Sequence, residues 1–216
     1  MFLVKNLQFK FAQNQNFELN CPELKFDARG ITAIRGPSGS GKSTFFKILI
    51  GEFSPINWSW TLNNEEISNK DVSDRHLGVV FQNYELFPHL TAQENIEIVM
   101  KSRDNFSYQS LQQLDNYKKQ LNLENCWNTK ADHLSGGEKQ RTAVLRAIMS
   151  KPKLILLDEP FAALDPALRQ ESRALLKGVI DKSGIPALMI THDEEDCVQL
   201  ANRTIFMHDG RFLNSK

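Results

Sequence analysis

The stretch ITAIRGPSGSGKSTFFKILIG, residues 31–51, decides how the rest of the chain is read. Its first five residues are a short apolar, β-branched run that predicts a buried strand. The chain then passes into GPSGSGKST, Gly36–Thr44, which fits G-x-x-x-x-G-K-[ST] between a strand and a helix. Gly36, Gly39 and Gly41 let the backbone wrap an anion closely, with Pro37, Ser38, Ser40 and Thr44 completing the loop. The helix start aims unsatisfied N–H groups at the same anion. Lys42 is placed to neutralise the β- and γ-phosphates of a nucleotide, and the Ser43 hydroxyl to hold Mg²⁺. The continuation, KSTFFKILI, is apolar almost all round and stops at Gly51, which predicts a core helix with a glycine after its end.

Outward from this loop, Leu7, Phe9 and Phe11, then Phe17 and Leu19, then Trp58, Trp60 and Leu62 alternate with polar residues. Each set predicts a half-buried antiparallel strand, with Trp58 and Trp60 in the sheet core. LGVVF (77–81), KLILLD (153–158) and PALMIT (186–191) predict further buried strands, and the helical stretches between the later ones imply a parallel sheet. Residues 92–149 are polar and helical in pattern, without a convincing strand, and suggest a helical subdomain grafted onto that sheet. Asp209-Gly210 between two apolar runs predicts a terminal hairpin. No internal repeat or long linker divides the 216 residues, which suit a single domain.

Composition narrows the function classes. Lys and Arg total 26, as do Asp and Glu, so no basic field points to nucleic acid. No apolar run approaches the roughly 20 residues of a membrane span, and the N-terminus alternates too early for a signal peptide. Cys21, Cys126 and Cys197 are far apart and odd in number; buried thiols in a reducing cytoplasm are the simplest expectation.

A second glycine stretch, LSGGEKQR (Leu134–Arg141), could also sit against phosphate, yet one nucleotide needs only one such cradle. Ser135, Gly136 and Gly137 precede a run, EKQRTAVLRAIM, in which Ala143, Val144, Ala147 and Ile148 share one helical face. That helix start is a second place for an anion. An N-cap Ser135 with glycines packed against a neighbour is the structural alternative. LSGGEKQR, followed by LILLDEP and ALDP, resembles the signature, Walker B and D-loop series of ABC ATPases. VVFQNYELFPHLTAQENI adds a Q-loop at Gln82, and LMITHDEEDC a switch histidine at His192. The resemblance covers essentially the entire chain. Glu138 stands where the family often has Gln.

The resemblance implies an α/β P-loop NTPase fold with a RecA-like core, an N-terminal antiparallel β-subdomain and an inserted α-helical subdomain at about 92–149. Many similar importers carry a C-terminal regulatory domain; here the sequence ends shortly after the hairpin, so none is expected. It implies that ATP and Mg²⁺ bind, and that two copies sandwich two ATPs head to tail. Ser135, Gly136, Gly137 and Glu138 would then face the γ-phosphate held by the other copy. Asp158 would orient Mg²⁺ with Ser43 and Gln82, Glu159 would act as general base, and His192 would contact the γ-phosphate. His76, His89, His133 and His208 are expected to be ordinary polar residues.

Asp165 matches the D-loop and equally suits an N-cap before Pro166. Phe11 matches the adenine-stacking aromatic, although it shares strand parity with Leu7 and could be buried with it. The segment after Gln82 would receive a transmembrane permease, unless Phe87 and Leu90 pack into the core. The expected function is the ATP-hydrolysing subunit of a transporter, cytoplasmic and peripheral to the membrane through its permease, most similar to importers. The alternatives are an exporter or lipoprotein-release ATPase, or a soluble relative acting on nucleic acid or ribosomes.

Overall fold

The computed structural model describes residues 2–11 and 14–213, with the backbone alone for residues 14–16. The chain forms two compact units, Met1–Leu77 with Pro186–Lys216, and Gly78–Ile185.

In the first unit, β1 (Phe2–Phe11), β2 (Asn14–Phe26) and β4 (Ser59–Leu62) form an antiparallel sheet, extended by the short β5 (Glu65–Glu66). Phe2 faces Phe26 and Leu62, and Val4 faces Leu24 and Trp60, so one face of each strand is buried, as alternation requires. Trp58 and Trp60 lie in this core with ring centroids 6.4 Å apart.

β3 (Ile31–Arg35) runs parallel to β8 (Ala187–Thr191) and β9 (Arg203–His208). The first four residues of β3 are buried, which is why ITAI reads as an unbroken run with no polar face. β9 turns back through Asp209-Gly210 into β10 (Arg211–Leu213), the expected hairpin. Gly210 has φ 71°, and a Cβ there would come within 1.9 Å of the Glu18 carbonyl oxygen, so the tight approach of the hairpin to β2 needs glycine.

The helix α1 (Lys42–Ile50) buries Phe45, Phe46, Ile48 and Leu49, each on the order of 2 kcal/mol of apolar burial. Gly51 ends it in the left-handed region, its N–H returning to the Ile48 and Lys47 carbonyls. The Arg75 guanidinium also closes this end, donating to the carbonyls of Ile48 (3.2 Å) and Leu49 (2.8 Å) and to those of Ser68 and Lys70. The short helix α6 (Glu194–Leu200) follows β8.

The second unit holds β6 (Leu77–Val80) from Gly78 on and β7 (Leu154–Asp158), neighbours in the sheet, with α2 (Ala92–Ser102), α3 (Tyr108–Gln120), α4 (Gly136–Met149) and α5 (Pro166–Ser183). Among the described residues of 92–149 there is no strand element. α4 buries the expected Ala143, Val144, Ala147 and Ile148, but also Gln140, Thr142, Leu145 and Met149. Its buried arc is wider than the apolar stripe because α2, α3 and α5 all pack on it. Among the described residues no helix is long and apolar enough to cross a membrane.

Candidate functional site

In the first unit the loop 36–41 runs from the end of β3 into α1. A Cβ on Gly36 would lie 2.1 Å from the Met207 carbonyl oxygen, and Gly41, the residue before α1, has φ 103°. Both positions demand glycine, for close approach and for backbone conformation respectively. A Cβ on Gly41 would also meet the Phe17 ring at 2.8 Å. The Lys42 side chain curls into its own loop and is buried, with Nζ donating to the Gly36 carbonyl at 2.7 Å and the Pro37 carbonyl at 3.0 Å. Pro37, Ser38, Gly39 and Ser43 are exposed, Ser40 is buried and Thr44 is partly buried.

Parallel register places His192 beside this loop. Arg35, the last residue of β3, pairs with Thr191, the last of β8, so Gly36 and His192 leave adjacent strand ends. His192 is exposed. The turn that carries it is fixed on both sides: the buried Thr191 hydroxyl donates to Asp196 at 2.9 Å and accepts from the Asp193 N–H at 3.0 Å. Asp193 caps α6, accepting from the Glu195 N–H at 2.7 Å. Arg35 reaches Glu194 at 3.0 Å and ties the start of α6 to the end of β3.

Phe11 is half-buried within a cluster with Phe9, Phe17 and Phe53, set edge-on to Phe53 at 5.5 Å. Leu7, by contrast, is fully buried. The face shared by strand parity therefore leaves the core as β1 proceeds, and Phe11 is only partly buried.

In the second unit Asp158 ends β7 and Glu159 follows it, both half-buried. Glu159 has φ 43°, a left-handed conformation that costs a residue with a Cβ on the order of 1 kcal/mol and that recurs at functional sites. Asp165 stands before Pro166 at the start of α5 but makes no side-chain capping bond, and it is exposed. The N-cap geometry is present without the cap hydrogen bond.

Ser135 caps α4 through a reciprocal box with Glu138. The Ser135 N–H donates to Glu138 Oε2 at 2.8 Å, its hydroxyl to the same oxygen at 2.7 Å, and it accepts from the Glu138 N–H at 3.4 Å. These bonds hold the Glu138 carboxyl below the usual carboxylate range. Gly136 is exposed, while a Cβ on buried Gly137 would come within 3.1 Å of the Arg141 guanidinium.

Gln82 is exposed after β6, and the turn that follows holds Tyr84 (φ 63°) and Glu85 (φ 45°) in the left-handed region. Two residues missed by the sequence reading fix this segment. Arg146 of α4 donates to the Glu85 and Tyr84 carbonyls at 2.7 and 2.9 Å. The fully buried Asn95 accepts from the Phe87 N–H and donates toward the carbonyls of Phe87, Leu90 and Thr91. A lone charge inside AVLRAIM and an amide on the buried face of α2 were the available signals; Arg75 left none. Phe87 remains 43% exposed, so it does not pack into the core.

The model of the ABC transporter family matches residues 19–162. The chain belongs to the ABC transporter family. Among its relatives are the probable sulfate/thiosulfate import ATP-binding protein of Chlorella vulgaris, 33% identical over 98% of this chain and 89% of that protein. Others are the Fe(3+) ions import ATP-binding protein of Fusobacterium nucleatum, 32% identical over 96% of this chain and 55% of that protein, and the spermidine/putrescine import ATP-binding protein of Borreliella afzelii, 34% identical over 97% and 60%. The chain thus spans little more than half the length of several of these relatives.

An ABC cassette solved as a dimer in a post-hydrolysis state with ADP and Pi superposes with a TM-score of 0.81, at 29% identity over 100% of this chain and 99% of that one. The fold is that of a P-loop NTPase cassette.

Proposed function

We propose that this chain is the ATP-hydrolysing subunit of an ABC importer, closing with a second copy around two ATPs to drive a separate transmembrane permease. The observation that carries the reading is the pair of serine–glycine helix starts, at α1 and α4. A nucleotide on the α1 loop uses one of them, and the exposed Ser135-Gly136 start of α4 is left for the nucleotide of a partner copy. The relatives' names support import. We take the fold as a single cassette with a helical subdomain at about 92–149.

Within that reading Lys42 exchanges the Gly36 and Pro37 carbonyls for β- and γ-phosphate oxygens, a stronger charged partnership. The partly buried Phe11 packs on adenine. The residues proposed for Mg²⁺, Ser43, Gln82 and Asp158, offer a hydroxyl, an amide oxygen and a carboxylate. This all-oxygen set suits a hard cation that also takes phosphate ligands. When bound, the ion neutralises charge on the β- and γ-phosphates.

Glu159 takes a proton from the attacking water, His192 contacts the γ-phosphate, and Asp165 lies along the contact between copies. The surface after Gln82, with exposed Phe87 and, on α2, exposed Ile98, receives the permease, which holds the protein at the inner face of the membrane. The test is gel filtration of Glu159→Gln with MgATP. An ATP-dependent dimer is expected, with Lys42→Ala abolishing nucleotide binding. A Glu159→Gln chain that stays monomeric in saturating ATP overturns the sandwich.

A further inference from the structure

Ser135 is exposed, yet its hydroxyl proton is already committed. It is donated to Glu138 Oε2 at 2.7 Å, and the same oxygen accepts the Ser135 N–H at 2.8 Å. A serine hydroxyl has one proton to give, and a carboxylate is a stronger acceptor than a neutral oxygen. The positive charge of Arg141 also favours the ionised carboxyl. It also sits in the first turn of α4, where its negative charge cancels much of the positive helix end that would attract a phosphate.

We infer that Glu138 withholds the Ser135 hydroxyl from the partner's nucleotide and thereby raises the ATP concentration at which two copies close. Glu138 is a positioning residue: it acts through Ser135 and through the potential at the helix start. The inference rests on the proposed placement of Ser135 against the partner's ATP. A phosphate oxygen arriving at Ser135 must first displace the carboxylate from the hydroxyl, and it does so against the repulsion of two anions in a partly wet site. A glutamine at the position keeps an oxygen for the Ser135 N–H, but it carries no charge and accepts the hydroxyl more weakly.

The experiment titrates MgATP against Glu159→Gln and against Glu138→Gln/Glu159→Gln, reading the dimer fraction by light scattering. The second variant is expected to half-saturate at about tenfold less ATP, the scale of one charge-assisted hydrogen bond. The advantage should shrink as salt rises and be smaller, though still salt-sensitive, in the Ser135→Ala background, where only the charge at the helix start is left to act. Glu138→Ala is the companion variant: it should also lower the ATP requirement while lowering the melting temperature, a split that a simple helix cap cannot give.

An unchanged or raised ATP requirement for both Glu138 variants, with Ser135→Ala still weakening the dimer, overturns the role of Glu138 alone. If Ser135→Ala leaves ATP-driven dimerisation intact, the placement of Ser135 fails and this inference with it.

Discussion

Glu138 shows how a single side chain couples stability to pH. Its bonds from the Ser135 hydroxyl and N–H lower its titration below the ordinary 4.5, so the folded state favours the ionised form. The stabilisation is therefore fully present above the unfolded value and is lost as pH falls through the lowered folded value. Melting temperatures measured from about pH 6 down to pH 3 should decline less steeply for Glu138→Gln than for the unaltered chain.

Cys21 makes the opposite case. Burial pushes its thiol up to about 12, so almost no thiolate exists near neutrality. An alkylating reagent at pH 7.5 should label Cys21 only on unfolding, as peptide mapping with and without denaturant would show. The sequence supports burial of all three cysteines, and all three are buried and free of disulfides.

Among elements, α1 carries the clearest division between legible and hidden causes. Its start, its apolar surround and its stop at Gly51 follow from residues 36–51 read in order. The closing of its carbonyl end by Arg75, 26 residues after Leu49, does not, because nothing local marks which arginine will reach back. The Arg75 guanidinium is buried among backbone carbonyls, and burial lowers its pKa. Arg75→Ala should therefore lower unfolding free energy by about 3 kcal/mol, measured by urea titration, because it strips charged hydrogen bonds from buried acceptors. Arg75→Lys should recover part of that loss, since one ammonium cannot span the set of carbonyls that the guanidinium reaches.

α4 repeats the lesson on its apolar face. Periodicity found Ala143, Val144, Ala147 and Ile148, while the burial of Gln140 and Thr142 depends on how many helices pack around them.

For the whole molecule, the proposed head-to-tail sandwich makes a prediction that no single chain could satisfy. Lys42→Ala and Ser135→Ala chains should each lack ATPase activity alone. Mixed, they form heterodimers in which one chain gives an intact α1 loop and the other an intact α4 start, so one of two composite sites is restored. Equal mixing should return up to about a quarter of the unaltered activity per chain, by random pairing of two-fold assemblies. A coupled-enzyme assay of the separate and mixed proteins checks this. Silence in the mixture would mean that each chain completes its own site.

The sequence by itself determined the glycine loop, the buried strands on either side of it, the second serine–glycine helix start and the order of motifs that places the chain in its family. These are local or patterned features: strand alternation, helical period and backbone freedom are properties of neighbouring residues. Tertiary structure alone decided that Gly36 and His192 leave adjacent strand ends, that Arg146 and Asn95 hold the turns after Gln82, and that Phe11 is only partly buried. Strand register, long-range hydrogen bonds and partial burial depend on which distant segments meet, and the pattern of side chains along one segment does not encode its partners.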